Sequence, residues 1–175
     1  NNLISTVNAG TVADGGRTTT IVNQSGVHRM VVEIVGSGAI DDISYTQETV
    51  EVIGDDGRDS LFGGDGSDII YGGDNKDELF GGNSNDIVYG GNDEDSIQGD
   101  NGNDSLYGGK GDDTVHGESG ADRLDGSSGD DRLFGGDAND TLIGDLGNDS
   151  LNGGNNEDGL WGGEGEDTLV CDGGV

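Results

Sequence analysis

The sequence lacks proline and contains one cysteine among its 175 residues. Average usage would give roughly nine prolines in a chain of this length. Because proline removes a donor from a strand ladder, its absence favours stacked strands without interdomain linkers, although compositional bias is the alternative. The single Cys171 excludes an internal disulfide framework and leaves two interpretations, an intermolecular bond or an ordinary thiol near the chain end. No apolar run reaches about eighteen residues, so no transmembrane helix is predicted.

Basic and hydrophobic residues are also scarce. Lys and Arg number 7 against 37 Asp and Glu, the formal charge is −30, and 29% of the residues are hydrophobic. A chain with so little apolar surface and so much charge cannot collapse unaided. The charge argues against binding to nucleic acid and against direct adsorption on anionic lipid. We therefore expect a chain that is loose without metal and folds when cations bind its carboxylates.

Glycine is abundant, with 38 residues, and follows a nine-residue repeat from Gly54 to Val170. The repeat forms thirteen consecutive units, such as GGDGSDIIY and GGEGEDTLV, in one unbroken register. Position one is glycine and position eight is aliphatic in all thirteen, which is the GGxGxDxUx pattern of calcium-binding parallel β-helices. Position six is always aspartate: Asp59, Asp68, Asp77, Asp86, Asp95, Asp104, Asp113, Asp122, Asp131, Asp140, Asp149, Asp158 and Asp167.

Each unit predicts a six-residue loop followed by a three-residue strand. Glycine at positions one, two and four permits left-handed or crowded backbone, and position four is otherwise Asn, Asp, Ser or Ala. The middle residue of each strand, at position eight, points inward because side chains alternate along a strand. Two units then make one turn, so that odd and even units lie on opposite sheets. The thirteen aliphatic residues between the sheets form a core too thin to hold the fold alone.

Residues 54–170 resemble the RTX (repeats-in-toxin) family of haemolysin-type calcium-binding nonapeptides. The resemblance implies an all-β parallel β-roll in which each Ca²⁺ lies between loops of unit n and unit n+2. It also implies six oxygen ligands: carbonyls at positions one and three of one loop, carbonyls at two and four of its neighbour, and both position-six carboxylates. The implied loop ligands include Gly63, Gly64, Asp65, Gly66, Gly72, Gly73, Gly81, Gly82, Gly99, Asn101, Gly102, Gly108, Gly109, Gly111, Gly162, Gly163 and Gly165.

The chemistry of the loops favours Ca²⁺ independently, since this hard cation takes six to eight oxygen ligands whereas Mg²⁺ demands tight octahedral geometry. Seven odd and six even loops leave room for up to eleven ions, which would reduce the formal charge from −30 to −8. Five units lack glycine at position two, and Lys110 and Leu146 depart from the usual residues at position three. Because the ligands there are backbone carbonyls, we expect weaker rather than absent sites near units seven to nine.

Residues 1–53 do not follow the repeat, but short β-rich runs at 3–7, 18–22, 29–35 and 49–53 alternate there with glycine-containing turns. The run Thr49–Ile53 leads directly into Gly54 without a linker. We predict three regions: an irregular β-rich N-terminal cap over 1–53 that is continuous with the solenoid, the calcium-binding β-roll over 54–170, and a short uncapped tail over 171–175. A small independent β-domain at the N-terminus is the alternative.

No catalytic motif is recognisable in the sequence. His28 and His116 lie 88 residues apart with no Cys nearby, and the glycine-rich turns are explained by the repeat. We therefore predict neither an enzyme nor an organic cofactor. On the outer face of the even strands, Ile69, Tyr71, Ile87 and Tyr89 are expected to form an apolar patch. This patch is either a stabilising cross-strand ladder or a surface covered by residues 1–53, or it is a contact surface for another chain or a glycan.

The start and end of the sequence suggest two further hypotheses. No signal peptide is visible in the sequence at Asn1, and the missing initiator Met suggests a processed chain or a fragment. The array ends at Val170 without a capping segment, and Asn1 and Leu3 of a second copy would continue the repeat after Val175. Head-to-tail stacking would then build a filament.

The predicted function is that of a secreted bacterial calcium-binding structural protein, part of an extracellular surface, matrix, adhesin or filament. The alternative is a calcium-triggered folding and export module of a larger enzyme, such as a lipase, protease or alginate epimerase. Export by type I secretion is implied by the resemblance alone.

Overall fold

The computed structural model describes residues 49–54 and 56–171, together with the backbone of residues 29–33. All of its regular structure is β-strand, and the described residues contain no helix capable of crossing a membrane. The fifteen strands are β1 Arg29–Glu33, β2 Thr49–Ile53, β3 Ser60–Gly64, β4 Ile69–Asp74, β5 Glu78–Asn83, β6 Ile87–Asn92, β7 Ser96–Asn101, β8 Ser105–Lys110, β9 Thr114–Ser119, β10 Arg123–Ser128, β11 Arg132–Asp137, β12 Thr141–Leu146, β13 Ser150–Gly154, β14 Gly159–Glu164 and β15 Thr168–Val170.

The strands form two parallel sheets that face each other across the interior. One sheet has eight strands in the order β1-β2-β4-β6-β8-β10-β12-β14, and the other has seven in the order β15-β13-β11-β9-β7-β5-β3. Within the repeats each strand pairs with the strand eighteen residues away, for example Ile70 with Val88 and Leu79 with Ile97. One turn therefore contains two nonapeptides, which confirms the predicted β-solenoid and the separation of odd and even units.

Most strands contain five or six residues, so the prediction of three-residue strands was wrong. A strand begins at position seven and continues through positions eight and nine into positions one to three of the next unit. The ladder includes the residues at positions two and three but omits position one, as in the pairing of Tyr71 with Tyr89 and Gly73 with Gly91 on either side of Gly72. The stacked loops extend the ladder because their backbones lie in register as well.

The interior is a single seam of aliphatic side chains. Eleven position-eight residues, Leu61 to Leu151, are fully buried, and Val50 and Val52 of β2 extend the seam. Burial of one such side chain contributes about 1.5–3 kcal/mol relative to its exposure. The last two members differ from the prediction, because Leu160 is only partly buried and Leu169 is 44% exposed. Among the described residues, no further turn covers them.

The N-terminal strands continue the eight-stranded sheet. β2 pairs with β4 in the same eighteen-residue register, with Val52 opposite Ile70, and β1 pairs with β2. Two of the β-rich runs identified in the sequence, at 29–35 and 49–53, thus contain strands. The runs at 3–7 and 18–22 and the proposed contact of Asn1 and Leu3 lie outside the described residues. The division of the chain into cap, β-roll and tail stays a prediction.

Candidate metal centre

The position-six aspartates stand in two rows, one beneath each stack of loops. Position six immediately precedes a strand and lies two residues before the inward residue at position eight. Because side chains alternate along a strand, the side chain at position six points inward as well. Asp59 to Asp149 are buried, with 0–4% exposure, whereas Asp158 and Asp167 in the last turn are partly buried. All thirteen predicted carboxylates are therefore brought to equivalent places in the solenoid.

One oxygen of each carboxylate is held by the neighbouring turn. The backbone N–H of an aspartate donates to Oδ1 of the aspartate eighteen residues later, from the Asp59 and Asp77 pair to the Asp149 and Asp167 pair. Eleven such bonds measure 2.7–3.0 Å. The carboxylate of unit n+2 thus fixes the loop of unit n, and its own orientation is fixed in return.

The other oxygen, Oδ2, is buried without a hydrogen-bond partner in eleven of these aspartates. Leaving a buried anionic oxygen without a donor costs several kcal/mol unless a cation or a proton compensates for it. These residues are Asp68, Asp77, Asp86, Asp95, Asp104, Asp113, Asp122, Asp131, Asp140, Asp149 and Asp158.

Glycine at position one brings carbonyl oxygens close to these carboxylates. A Cβ atom built on Gly81 would lie 2.6 Å from Oδ2 of Asp86 and 2.8 Å from the carbonyl oxygen of Gly99. The same arrangement is found at Gly63, whose Cβ would lie 2.6 Å from Oδ2 of Asp68 and 2.5 Å from the carbonyl oxygen of Gly81. Any side chain at position one would displace this pair of oxygens, which explains why the position is glycine in every unit.

Positions two and four of the loops adopt a left-handed backbone conformation. Position two has positive φ in units two to thirteen, and position four has positive φ in units three to thirteen. Nine non-glycine residues adopt this conformation, and all of them occupy position two or position four: Asn75, Ser84, Asp93, Asp100, Glu118, Ser127, Ala138, Asp145 and Asn156. Positive φ costs an L-residue about 1–2 kcal/mol. The loop conformation is therefore imposed by the contacts between stacked turns.

Several carbonyls of the loops already accept hydrogen bonds. The position-four N–H of Gly102, for example, donates to the position-three carbonyl of Ser119 at 2.9 Å, and Gly111 donates likewise to Ser128. A carbonyl oxygen has two lone pairs, so such an oxygen can still bind a cation. The loops therefore offer oxygen donors only, in the combination of carboxylates and carbonyls that hard cations prefer.

Burial raises the pKa of the central carboxylates. Desolvation is the largest cause for Asp86 and Asp95, opposed by the hydrogen bond from a backbone N–H and reinforced by neighbouring carboxylates, and it raises each pKa to about 8. The same causes raise the pKa of Asp113 and Asp122 to about 7. Without a cation these groups would hold protons near neutral pH, and a bound cation would displace them.

One position equivalent to the repeat aspartates was missed in the sequence. Counting back nine residues from Asp59 places Val50 at position six of an additional unit, although residues 45–48 contain no glycine. Val50 is buried, and its N–H donates to Oδ1 of Asp68 at 2.7 Å, as an aspartate would in the repeats. The even stack thus begins with a turn that has the ladder bond but an apolar side chain where the repeats have aspartate.

No three His, Cys, Asp or Glu side chains lie close enough to form a metal-binding group in the described part of the chain. A site there contains at most two such side chains, and carbonyls must supply the other protein ligands. The oxygen-only donors, the buried Oδ2 atoms and the glycine loops fit Ca²⁺.

The family model for the RTX calcium-binding nonapeptide repeat, in its four-copy form, matches residues 53–88, 89–124, 98–133, 116–151 and 134–169. These segments together span two thirds of the chain. The chain belongs to this RTX repeat family. It is accordingly a calcium-binding repeat protein with a β-solenoid fold. Searches of the curated proteins and of the solved structures found no match.

The apolar patch predicted on this RTX solenoid is a stacked ladder. The rings of Tyr71 and Tyr89 lie 5.1 Å apart at 7°, and those of Tyr89 and Tyr107 lie 4.9 Å apart at 10°. The faces of neighbouring rings cover one another, so mainly ring edges face outward. Ile87 is exposed and Ile69 is partly buried beside them. The role of this patch as a contact surface stays a prediction.

Of the two histidines set aside as non-catalytic, His116 lies on the surface, and His28 lies outside the described residues. His116 stacks on Phe134 with ring centroids 4.5 Å apart and has its Nδ1 atom 4.0 Å from a carboxylate oxygen of Glu118. Cys171 is an exposed free thiol after the last strand.

Proposed function

We propose that this chain is a secreted structural protein that folds when Ca²⁺ binds between stacked repeat loops. The observation that carries the proposal is the set of eleven buried Oδ2 atoms without a hydrogen-bond donor, eight of them beside a glycine carbonyl. Such a set is costly unless cations or protons neutralise it. The core of one aliphatic residue per unit is too small to compensate for that cost. Calcium would therefore supply the charge that allows the two sheets to close.

Each proposed site lies between two loops that are eighteen residues apart. Asp86 and Asp104 illustrate the pair of carboxylates, with carbonyls from the loops 81–84 and 99–102 as the other protein ligands. The assignment rests on the equivalence of all units and on the RTX arrangement in which positions one to four supply carbonyls. Up to eleven sites would follow, with weaker binding near units seven to nine, where positions two and three depart from the pattern.

The proposed setting is outside the bacterial cell, in a surface layer, matrix, adhesin or filament, after export by type I secretion. RTX repeat proteins are typically extracellular, and a repeat solenoid of this kind is typically structural rather than catalytic. Head-to-tail stacking is supported by the inward Leu169 of the last turn, which is 44% exposed although its counterparts from Leu61 to Leu151 are fully buried. Another copy could cover this side chain.

A calcium titration followed by circular dichroism tests the proposed folding. We expect little β-structure in chelator, a cooperative gain between micromolar and millimolar Ca²⁺, and reversal when chelator is added. Mg²⁺ at the same concentrations is the control and should give little ordering. A chain with the same β-content in excess chelator would contradict the proposal.

Electron microscopy in Ca²⁺ tests the assembly separately. The wild type should form filaments, and Leu3→Asp or Leu169→Asp should shorten or abolish them while the calcium titration stays close to that of wild type. Absence of wild-type filaments, or filaments unchanged in both variants, would disprove head-to-tail stacking without affecting the folding proposal.

A further inference from the structure

The two stacks of loops differ sharply in charge. We call positions three to five of the even units the even rim and those of the odd units the odd rim. The odd rim carries eleven charged residues, and Lys76 and Glu94 form an ion pair there. The even rim carries three: Asp65, Asp137 and Glu157. The even rim consists of residues 65–67, 83–85, 101–103, 119–121, 137–139 and 155–157.

The centre of the even rim contains no charged residue over three consecutive turns. We call residues 83–85, 101–103 and 119–121 the neutral block; they read Asn-Ser-Asn, Asn-Gly-Asn and Ser-Gly-Ala. All of them except the two glycines are exposed. In a chain of charge −30 this is an unusual surface, and its ranks repeat at the strand spacing of about 4.8 Å.

The amides of the neutral block are held in fixed orientations. Oδ1 of Asn85 accepts the backbone N–H of Asn103, and Oδ1 of Asn103 accepts the N–H of Ala121, each at 2.8 Å. Because Oδ1 of each side chain accepts a backbone N–H, the orientation of both amides is fixed, and both Nδ2 groups point away from the backbone. Neither Nδ2 group has a hydrogen-bond partner among the described residues. Two rigid donor groups therefore face solvent on successive turns.

A row of acceptors and hydroxyls runs beside these donors. Nδ2 of Asn83 donates to Asp65 at 2.8 Å, and Nδ2 of Asn101 donates to Oδ1 of Asn83 at 3.1 Å. Oδ1 of Asn101 accepts no hydrogen bond within the described part of the chain, and the hydroxyl of Ser119 lies one turn further on. Donors and acceptors thus alternate across a strip with no net charge.

We propose that the neutral block binds an uncharged polysaccharide laid along the solenoid axis. Sugar hydroxyls both donate and accept, as the strip requires, and amides fixed in advance lose little entropy on binding. An anionic polymer would be repelled by Asp65 and Asp137 at the two ends and by the charge of the chain. A cationic partner would find no carboxylate in the block, and an apolar one would find only Ala121.

A second copy of the chain fits the block less well. Three ranks about 4.8 Å apart form a strip roughly 15 Å long. Stable protein interfaces bury about 800 Å² on each partner, and a strip that is two side chains wide falls well short of that area. A narrow linear polymer matches its shape.

Affinity electrophoresis of the calcium-loaded chain in gels containing dextran, galactomannan or hydroxyethyl cellulose tests the proposal. We expect at least one of these neutral polymers to retard the wild type. Asn85→Asp and Asn103→Asp should weaken the retardation about tenfold, since each replaces outward donors with a carboxylate. The matched control is Asn148→Asp at position five of the odd rim, where Oδ1 likewise accepts a backbone N–H, from Glu166, and the retardation should not change.

Absence of retardation by all three polymers, or equal loss in Asn148→Asp, would overturn the proposal. A dimer in sedimentation velocity without polysaccharide that disappears in Asn85→Asp would overturn it in favour of self-association. The inference depends on the calcium-bound fold, and the circular dichroism titration tests that fold separately. A chain that folds with calcium but binds no neutral polymer would refute only this inference.

Discussion

Strand β2 and the strands of the even nonapeptides stack in one sheet but fill the interior in different ways. In both, the backbone N–H at position six donates to a carboxylate of the turn eighteen residues later. At β2 the side chain at this position is the apolar Val50, whereas in the repeats it is an aspartate with a buried Oδ2. The backbone of the solenoid therefore does not require an inward carboxylate. Under the proposed calcium-dependent folding, aspartate would make the stability of the stack depend on a cation, and valine would remove that dependence for one turn.

The largest expected effect is that of pH on the metal-free repeats. Burial raises the pKa of Asp86 and Asp95 to about 8 in the folded state, compared with the ordinary value of 3.8. The folded chain therefore binds more protons than the unfolded chain between about pH 8 and pH 4, and its stability rises as the pH falls. Each additional proton contributes about 1.4 kcal/mol per pH unit.

We expect β-structure to increase when the calcium-free chain is brought from pH 8 to pH 5, as measured by far-ultraviolet circular dichroism. With calcium present the same acidification should raise the calcium concentration at the folding midpoint, because protons compete for the carboxylates. A metal-free chain that loses β-structure on acidification would contradict the assignment of raised pKa values.

Replacing one central aspartate should have the next largest effect. Asp104 lies between Asp86 and Asp122 and would be shared by two calcium sites, whereas Asp68 lies between Val50 and Asp86 and would serve one. Asp104→Ala should remove two bound ions and about 3–5 kcal/mol of stability in calcium.

Asp68→Ala should remove one ion and roughly half as much stability, by the same reasoning. Equilibrium dialysis gives the stoichiometry and urea denaturation gives the free energy of unfolding. The exposed Glu166 provides the control, because Glu166→Ala should leave both quantities unchanged. Equal losses from the two aspartate variants would show that the turn of Val50 is a calcium site after all.

Val50→Asp would give β2 the aspartate of the repeats without the glycine-rich loop that precedes it in each repeat. The residues before it, 45–48, lack glycine, so we expect no additional calcium ion. A carboxylate buried beside Asp68 without compensation should cost about 3 kcal/mol in urea denaturation. Val50→Asn separates the effect of charge from that of size and should cost less. An additional ion bound by Val50→Asp would show that the glycine loop is not required.

The smallest effect concerns the left-handed residues of the loops. Ala138 has φ of 83° at position four, where most units have glycine. Ala138→Gly should therefore raise the free energy of unfolding in calcium by about 0.5–1 kcal/mol, because glycine adopts this conformation without steric cost. Ala121→Gly at position five, where φ is not positive, is the matched control and should give no gain. A gain of similar size at both positions would indicate that φ is not the cause.

Most of the solenoid could be predicted from the sequence because the repeat determines it locally. The spacing of Asp86, Asp95 and Asp104 predicts which turns stack, and Leu61 to Leu151 predict the seam. Strand length was predicted wrongly, since the extension into positions two and three depends on ladder bonds between turns. The exposure of Leu169 likewise depends on which neighbours cover it.

By itself the sequence determined the nine-residue register, the inward aliphatic residues and the oxygen chemistry of the loops, because each of these follows from residue type and spacing. The tertiary structure alone decided three further features. It showed that Oδ1 is used by the adjacent turn while Oδ2 stays unpaired in eleven aspartates, it placed Val50 where the repeats have aspartate, and it separated the highly charged odd rim from the sparsely charged even rim. All three depend on the stacking of turns. Stacking brings residues that are eighteen positions apart in the sequence into contact, and it places residues that are nine positions apart on opposite sides of the solenoid.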